Sequence, residues 1–136
     1  MSDEERSRKG AEILAQLHSW GTPNVLGPLE EIAPDLKNMV RDFAFGEVYA
    51  RPGLALKQRQ LVTVTALAAM GNTGIEFKAH LLGALKVGWT KEELVEALMQ
   101  LAIYAGFPAA IHALLAAKEA FAEHGQTPAP RAPETK

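Results

Sequence analysis

Helical spacing of apolar residues runs almost the whole length of the chain, and no alternating run of β-branched and aromatic residues is long enough for a strand. The fold class that follows is all-α, a bundle of about six helices. The first helix is predicted over Glu4 to Leu17 and breaks near Gly21 to Pro23, after which Val25 to Ala33 is irregular or a short turn of helix. Pro34, a favoured first-turn residue, opens a second helix that carries Leu36, Met39, Val40, Phe43 and Val48 on its buried side as far as Tyr49, before Arg51-Pro52-Gly53 ends it. The third, Leu56 to Met70, is apolar all round after its first turn and is expected to be central. A fourth runs from Ile75 to Val87 and closes at Gly88. Thr90 and Glu93 form a capping box for a fifth helix, Lys91 to Tyr104. The last spans Pro108 to His124, with Gly125 as its stop.

The longest stretch without formal charge, Ala97 to Ala117, is long enough to raise a membrane span, but Gln100, His112 and the Gly106-Phe107-Pro108 breaker divide it into two buried helices. With 136 residues there is room for one core, so residues 1–125 are expected to form a single domain and 126–136 a disordered Pro-rich tail. Fourteen Lys and Arg against sixteen Asp and Glu leave a formal charge of −2, which offers no basic field for nucleic acid or an anionic membrane. The charged opening MSDEERSRKG has no apolar core of a secretory signal, so the expected location is cytoplasmic. No cysteine is present, which removes disulfides, thiolate metal sites and thiol redox chemistry together.

Glu76 and His80 stand i, i+4 on the fourth helix, with Gly83 and Val87 on the same stripe, so one face bears a carboxylate, an imidazole and a gap. Lys78 and Lys86 fall on a different side, which assigns them to the solvent face. A carboxylate beside an imidazole suits proton transfer: it orients the ring and favours its charged form, while apolar neighbours such as Phe77, Ala79 and Ala84 would disfavour that form. Spacing alone leaves open which effect wins, and leaves open a plain surface Glu–His pair. A metal held by Glu76, His80 and His112 is a further reading, without an HExxH or comparable ligand pattern behind it. Arg41, Arg51 and Arg59 are candidates to hold a carboxylate, and Tyr104 and Phe107 to line a pocket, with core packing the plainer role for Phe107.

Four ordered blocks, FAFGEVYARPGL (Phe43 to Leu54), RQLVTVTALAAMG (Arg59 to Gly71), EFKAHLLGALKVGWTKEELVEAL (Glu76 to Leu98) and YAGFPAAIHAL (Tyr104 to Leu114), resemble the carboxymuconolactone decarboxylases, over about Asp35 to Phe121. The resemblance implies an alkylhydroperoxidase-D-like helical fold assembled as a homo-oligomer, a ring built as a trimer of dimers. Excess apolar surface on the third helix and on Ala97 to Ala117 points the same way. Glu76 and His80 match the family's ExxxH pair, and Arg51, Arg59 and Tyr104 its recurrent arginines and tyrosine. Related thiol peroxidases carry a CxxC pair where Thr73 and Glu76 stand here, so the resemblance does not extend to peroxidase chemistry. Leu82, Lys86 and Val87 depart from the decarboxylase pattern, as do Gln60, where serine is common, and His112, where asparagine is common.

What the resemblance implies is cofactor-free decarboxylation of 4-carboxymuconolactone or a related small lactone or carboxylic acid. Loss of CO2 creates a dienolate that needs a proton at carbon and a partner for its oxygen. In that scheme protonated His80 delivers the proton, Glu76 orients it, and Arg59 or Arg51 holds the carboxylate or the oxyanion, with Tyr104 and His112 completing the substrate-binding set. No metal or other cofactor is expected. The alternative is a catalytically silent oligomer of the same fold that binds a small ligand or a partner.

Overall fold

The computed structural model describes residues 1–19 and 21–126. Among these the chain is all-helical: α1 (Asp3–Leu17), α2 (Leu29–Ile32), α3 (Pro34–Met39), a π-helix (Val40–Tyr49), α4 (Leu56–Ala69), α5 (Ile75–Lys86), α6 (Lys91–Ala105) and α7 (Phe107–Gln126). The short α2 lies in the segment expected to be irregular. The last helix continues past Gly125 to Gln126, and most of the expected Pro-rich tail, 127–136, lies outside the described residues.

Local signals explain most of the boundaries. Thr90 accepts from the Glu93 backbone N–H while the Glu93 carboxylate accepts from the Thr90 N–H, the expected capping box, and Ser2 and Glu5 do the same for α1. Gly88, at φ 112°, lets the chain leave α5 with Gly88 N–H bonded to the Leu85 carbonyl and Trp89 N–H to that of Ala84. Trp89 then anchors the turn by donating its indole N–H to the Lys57 carbonyl at 2.7 Å.

The core is centred on α5, whose Phe77, Leu81 and Ala84 are fully buried against Val64 and Ala68 of α4, Leu94 and Leu98 of α6, and Ala113, Ala117 and Ala120 of α7. Helix α4 is not buried all round as its composition suggests. It turns Gln60, Val64 and Ala68 inward and leaves Val62 57% exposed. The charge-free stretch does form two helices, but each is buried along one stripe only, and Ile103, Phe107 and Leu115 face outward.

The expected second helix differs most. It begins as α3 and then winds as a ten-residue π-helix, whose i→i+5 bonds place more residues in each turn than the pattern of α spacing assumes. Its inward residues are therefore Phe45 and Gly46, while Phe43, expected to be buried, is 60% exposed; Met39, at the end of α3 and also expected to be buried, is 63% exposed. Leu36 and Val48 are also largely open.

Two glycines decide how this π-helix meets α1. A Cβ at Gly46 would run into the Arg6 carbonyl oxygen and one at Gly10 into that of Arg41, so the two backbones touch where side chains are absent. Polar bonds flank the contact: Ser7 donates to Asp42 at 2.9 Å, Arg41 to Ser7 at 3.2 Å, and Arg6 to Glu47 at 3.1 Å. Arg41 and Ser7 together hold the Asp42 carboxyl below its ordinary pKa. Gly46→Ala is expected to force the helices apart and cost about 1–3 kcal/mol, read as a lower urea midpoint. An unchanged midpoint would mean that α1 does not dock in this way.

Candidate active site

Among the described residues Gln60 is the one buried polar side chain, and it organises the site. It reaches from α4 to α5, where its Nε2 lies 3.0 Å from His80 Nδ1 and 2.8 Å from the His80 carbonyl oxygen. The Tyr49 hydroxyl donates to Gln60 Oε1 at 2.9 Å and also meets Thr63 Oγ1. With Oε1 accepting from Tyr49, both hydrogens of the Gln60 amide are spent on His80, one on the carbonyl and one on Nδ1. Nδ1 is thus an acceptor, and the ring proton belongs on Nε2.

Space for this arrangement comes from Gly83, where a Cβ would lie 2.9 Å from Gln60 Nε2 and 3.3 Å from the Leu17 carbonyl. The glycine read from the sequence as a gap beside His80 is the seat of the glutamine that holds it. Phe45, from the π-helix, covers the ring in a stacked geometry, centroids 6.2 Å apart and planes 11° from parallel. Burial lowers the His80 pKa from 6.5 to about 4, so desolvation prevails and the imidazole is neutral at pH 7. Burial also raises the Tyr49 pKa, against the smaller opposing pulls of Thr63 and the Arg59 charge, which keeps the phenol an O–H donor to Gln60.

His80 opens on a cavity of about 790 Å3 bounded by the end of α1, the segment from Thr22 to Leu26, and residues of α3, the π-helix and α5. Leu36, Val40, Phe45 and Ala79 give it apolar walls. The volume suits a small organic ligand. Among the described residues no three His, Cys, Asp or Glu side chains come together as a metal-binding group.

Of the expected site residues, the cavity brings together His80 and Glu76. Glu76 is exposed at the rim, and no hydrogen bond or ion pair joins it to His80. The ring is oriented by Gln60, which corrects the orienting role expected of Glu76. Arg59 donates to the Arg51 carbonyl at 3.1 Å, and neither arginine lines the cavity. Tyr104, at the end of α6, is 86% exposed, Phe107 is 72% exposed in place of the expected core packing, and His112 is exposed on α7. Leu82 is buried. Lys86 is exposed, as expected, and also borders the cavity, because its side chain turns back onto the end of α1. Gln60 was visible in the sequence only as a departure from a family pattern, and Lys86 as such a departure and as a solvent-face residue. Phe45 carried no signal, since its inward direction depends on the π winding.

A helical bundle that presents a neutral histidine, locked by a buried amide, to an apolar cavity is built for side-chain acid–base chemistry, and comparison with known proteins places it among carbon–carbon lyases. The sequence model of the carboxymuconolactone decarboxylase family matches residues 34–119, and the chain belongs to that family. It is 37% identical to 4-carboxymuconolactone decarboxylase of Acinetobacter baylyi over 131 residues, covering 94% of this chain and 96% of the relative. It is also 34% identical to the nitrosuccinic acid decarboxylase npaB of Metarhizium robertsii over 79 residues, covering 58% of this chain and 54% of that one.

Proposed function

We propose that the chain decarboxylates 4-carboxymuconolactone, or a related small lactone or carboxylic acid, without a cofactor. The observation that carries this reading is His80: a ring kept neutral by burial, fixed through Nδ1 by Gln60, with Nε2 left to the apolar cavity. An anionic substrate beside such a ring favours its charged form, so binding takes up one proton. As the C–C bond breaks, CO2 leaves and the electron pair flows into the conjugated lactone. The imidazolium Nε2–H stabilises the dienolate and gives its proton to carbon, which returns the ring to neutrality. The departing carboxylate belongs against Val40, Phe45 and Ala79, where little solvates it.

The open apolar faces of α6 and α7 support assembly of copies, in a ring of dimers within the cytoplasm. Met99, Ile103, Phe107, Ile111 and Leu115 are each more than half exposed. In such an assembly Arg51, Arg59, Tyr104 and His112, which lie outside the cavity of their own chain, reach substrate across a subunit boundary. Sedimentation is expected to show an oligomer at micromolar concentration, and a stable monomer would contradict the assembly.

The activity is tested by following ultraviolet absorbance and CO2 release from 4-carboxymuconolactone and related lactone acids. Turnover supports the enzyme. Thermal stabilisation by these compounds without turnover would identify a binding protein.

A further inference from the structure

Tyr49, the last residue of the π-helix, does not line the cavity and takes no part in the proton transfer at Nε2. Its ring packs on Phe45, centroids 4.8 Å apart, and Phe45 in turn covers His80. Its hydroxyl sits between Gln60 Oε1, at 2.9 Å, and Thr63 Oγ1. The Thr63 hydroxyl also lies 3.0 Å from the Arg59 carbonyl, one turn back on α4. Each hydroxyl has a single hydrogen, so the direction of the whole chain follows from a member that can act in one way only. That member is the His80 carbonyl, an acceptor 2.8 Å from Gln60 Nε2. An amide turned over would set its oxygen against this carbonyl with no hydrogen between them. Oε1 therefore faces Tyr49 and accepts from it, which leaves Thr63 as the donor where the two hydroxyls meet.

We propose that Tyr49 is a positioning residue of the decarboxylation: by donating to Gln60 Oε1 it holds the amide against His80 and so keeps the reactive proton on Nε2. This rests on the decarboxylase reading and adds a residue to it. Gln60 borders the cavity, so its side chain has somewhere else to go. Without the phenol, Oε1 is a buried acceptor with no donor, a loss that the side chain relieves by turning into the cavity to meet water. Nδ1 then loses the hydrogen it accepts, and in a histidine the bond made by one ring nitrogen sets the protonation of the other. The ring would share its proton between both nitrogens and lose its fixed orientation. No cavity wall is removed, so the effect falls on the proton and not on binding.

The test compares wild type, Tyr49→Phe, Gln60→Met and the double variant, by turnover of the lactone acids and by nitrogen-15 NMR of the His80 ring. Tyr49→Phe keeps an aromatic ring beside Phe45 and removes only the hydroxyl. It is expected to lower kcat about 10- to 100-fold with KM changed far less, and to turn a single Nε2–H ring at neutral pH into a mixture of both tautomers. Because Tyr49 acts through Gln60, the same change made in Gln60→Met is expected to alter neither reading further. An unchanged tautomer in Tyr49→Phe, whether or not kcat falls, would overturn the proposal while leaving the decarboxylase intact. So would a mixed tautomer at full kcat, or an equal further loss in the Gln60→Met background. If Tyr49→Phe does not fold, the double variant removes donor and acceptor together, and its comparison with Gln60→Met decides: equal kcat and tautomer support the proposal, and a further loss overturns it. If wild type turns over none of the acids, the decarboxylase reading fails, and the tautomer comparison alone decides whether Tyr49 holds the ring through Gln60.

Discussion

His80→Gln is expected to lower kcat for decarboxylation by about 10²- to 10⁴-fold, the range over which a positioned general acid contributes. Glutamine keeps a polar group of similar reach but has no titratable nitrogen. It can donate a hydrogen bond toward the dienolate oxygen, so some oxyanion stabilisation survives, and what is lost is the proton carried to carbon. KM should change little, because the apolar walls of the cavity are unchanged. Steady-state kinetics on the active substrate, with circular dichroism to verify folding, provide the check. A loss confined to KM would place His80 in binding alone.

The second large effect is on stability against pH. His80 has an ordinary pKa of 6.5 in the unfolded chain and about 4 in the fold, so the folded protein favours the neutral ring. The unfolded chain therefore binds more protons between these two values, and the stability contributed by keeping the ring neutral is fully present above pH 6.5 and lost as pH falls toward 4. A shift of this size corresponds to about 3 kcal/mol. Urea midpoints are expected to fall steadily from pH 7 to pH 4.5 in wild type and much less in His80→Gln. Equal pH dependence in the two proteins would show that another group dominates. Asp42 acts with the same sign at lower pH, since Arg41 and Ser7 favour its charged form only in the fold.

The helices were legible because their signals are local. Thr90 and Glu93 mark a helix start, Gly88 a stop and Gly106 a break, and each works through backbone groups within a few residues. His80 and Glu76 were legible as a pair on one stripe of α5. What the pair does was not, because its chemistry depends on residues far away in sequence. Gln60 lies twenty positions before His80, and its amide could be oriented only through Tyr49, eleven positions earlier again. The inward face of the second helix was misread because the sequence pattern was projected at α spacing, whereas the chain from Val40 winds as π and brings Phe45 over the imidazole. Lys86 is exposed, as its helical position predicts, yet it also borders the cavity. Helical angle fixes where a Cβ points, but a long side chain can bend back onto a neighbouring helix, and the carbonyls of Ala15 and His18 draw it there.

Proton delivery by His80 requires a neutral imidazole in the free protein, with its proton on Nε2 and Nδ1 accepting from Gln60. Nitrogen-15 NMR of the histidine rings, titrated from pH 4 to 8 in wild type, reads both the tautomer and the pKa. The expected result is an Nε2–H ring at neutral pH whose protonation begins only as the pH approaches 4, with the pKa rising when a substrate-like dicarboxylate is added. A ring carrying its proton on Nδ1, or one that titrates near 6.5 in the free protein, would contradict it.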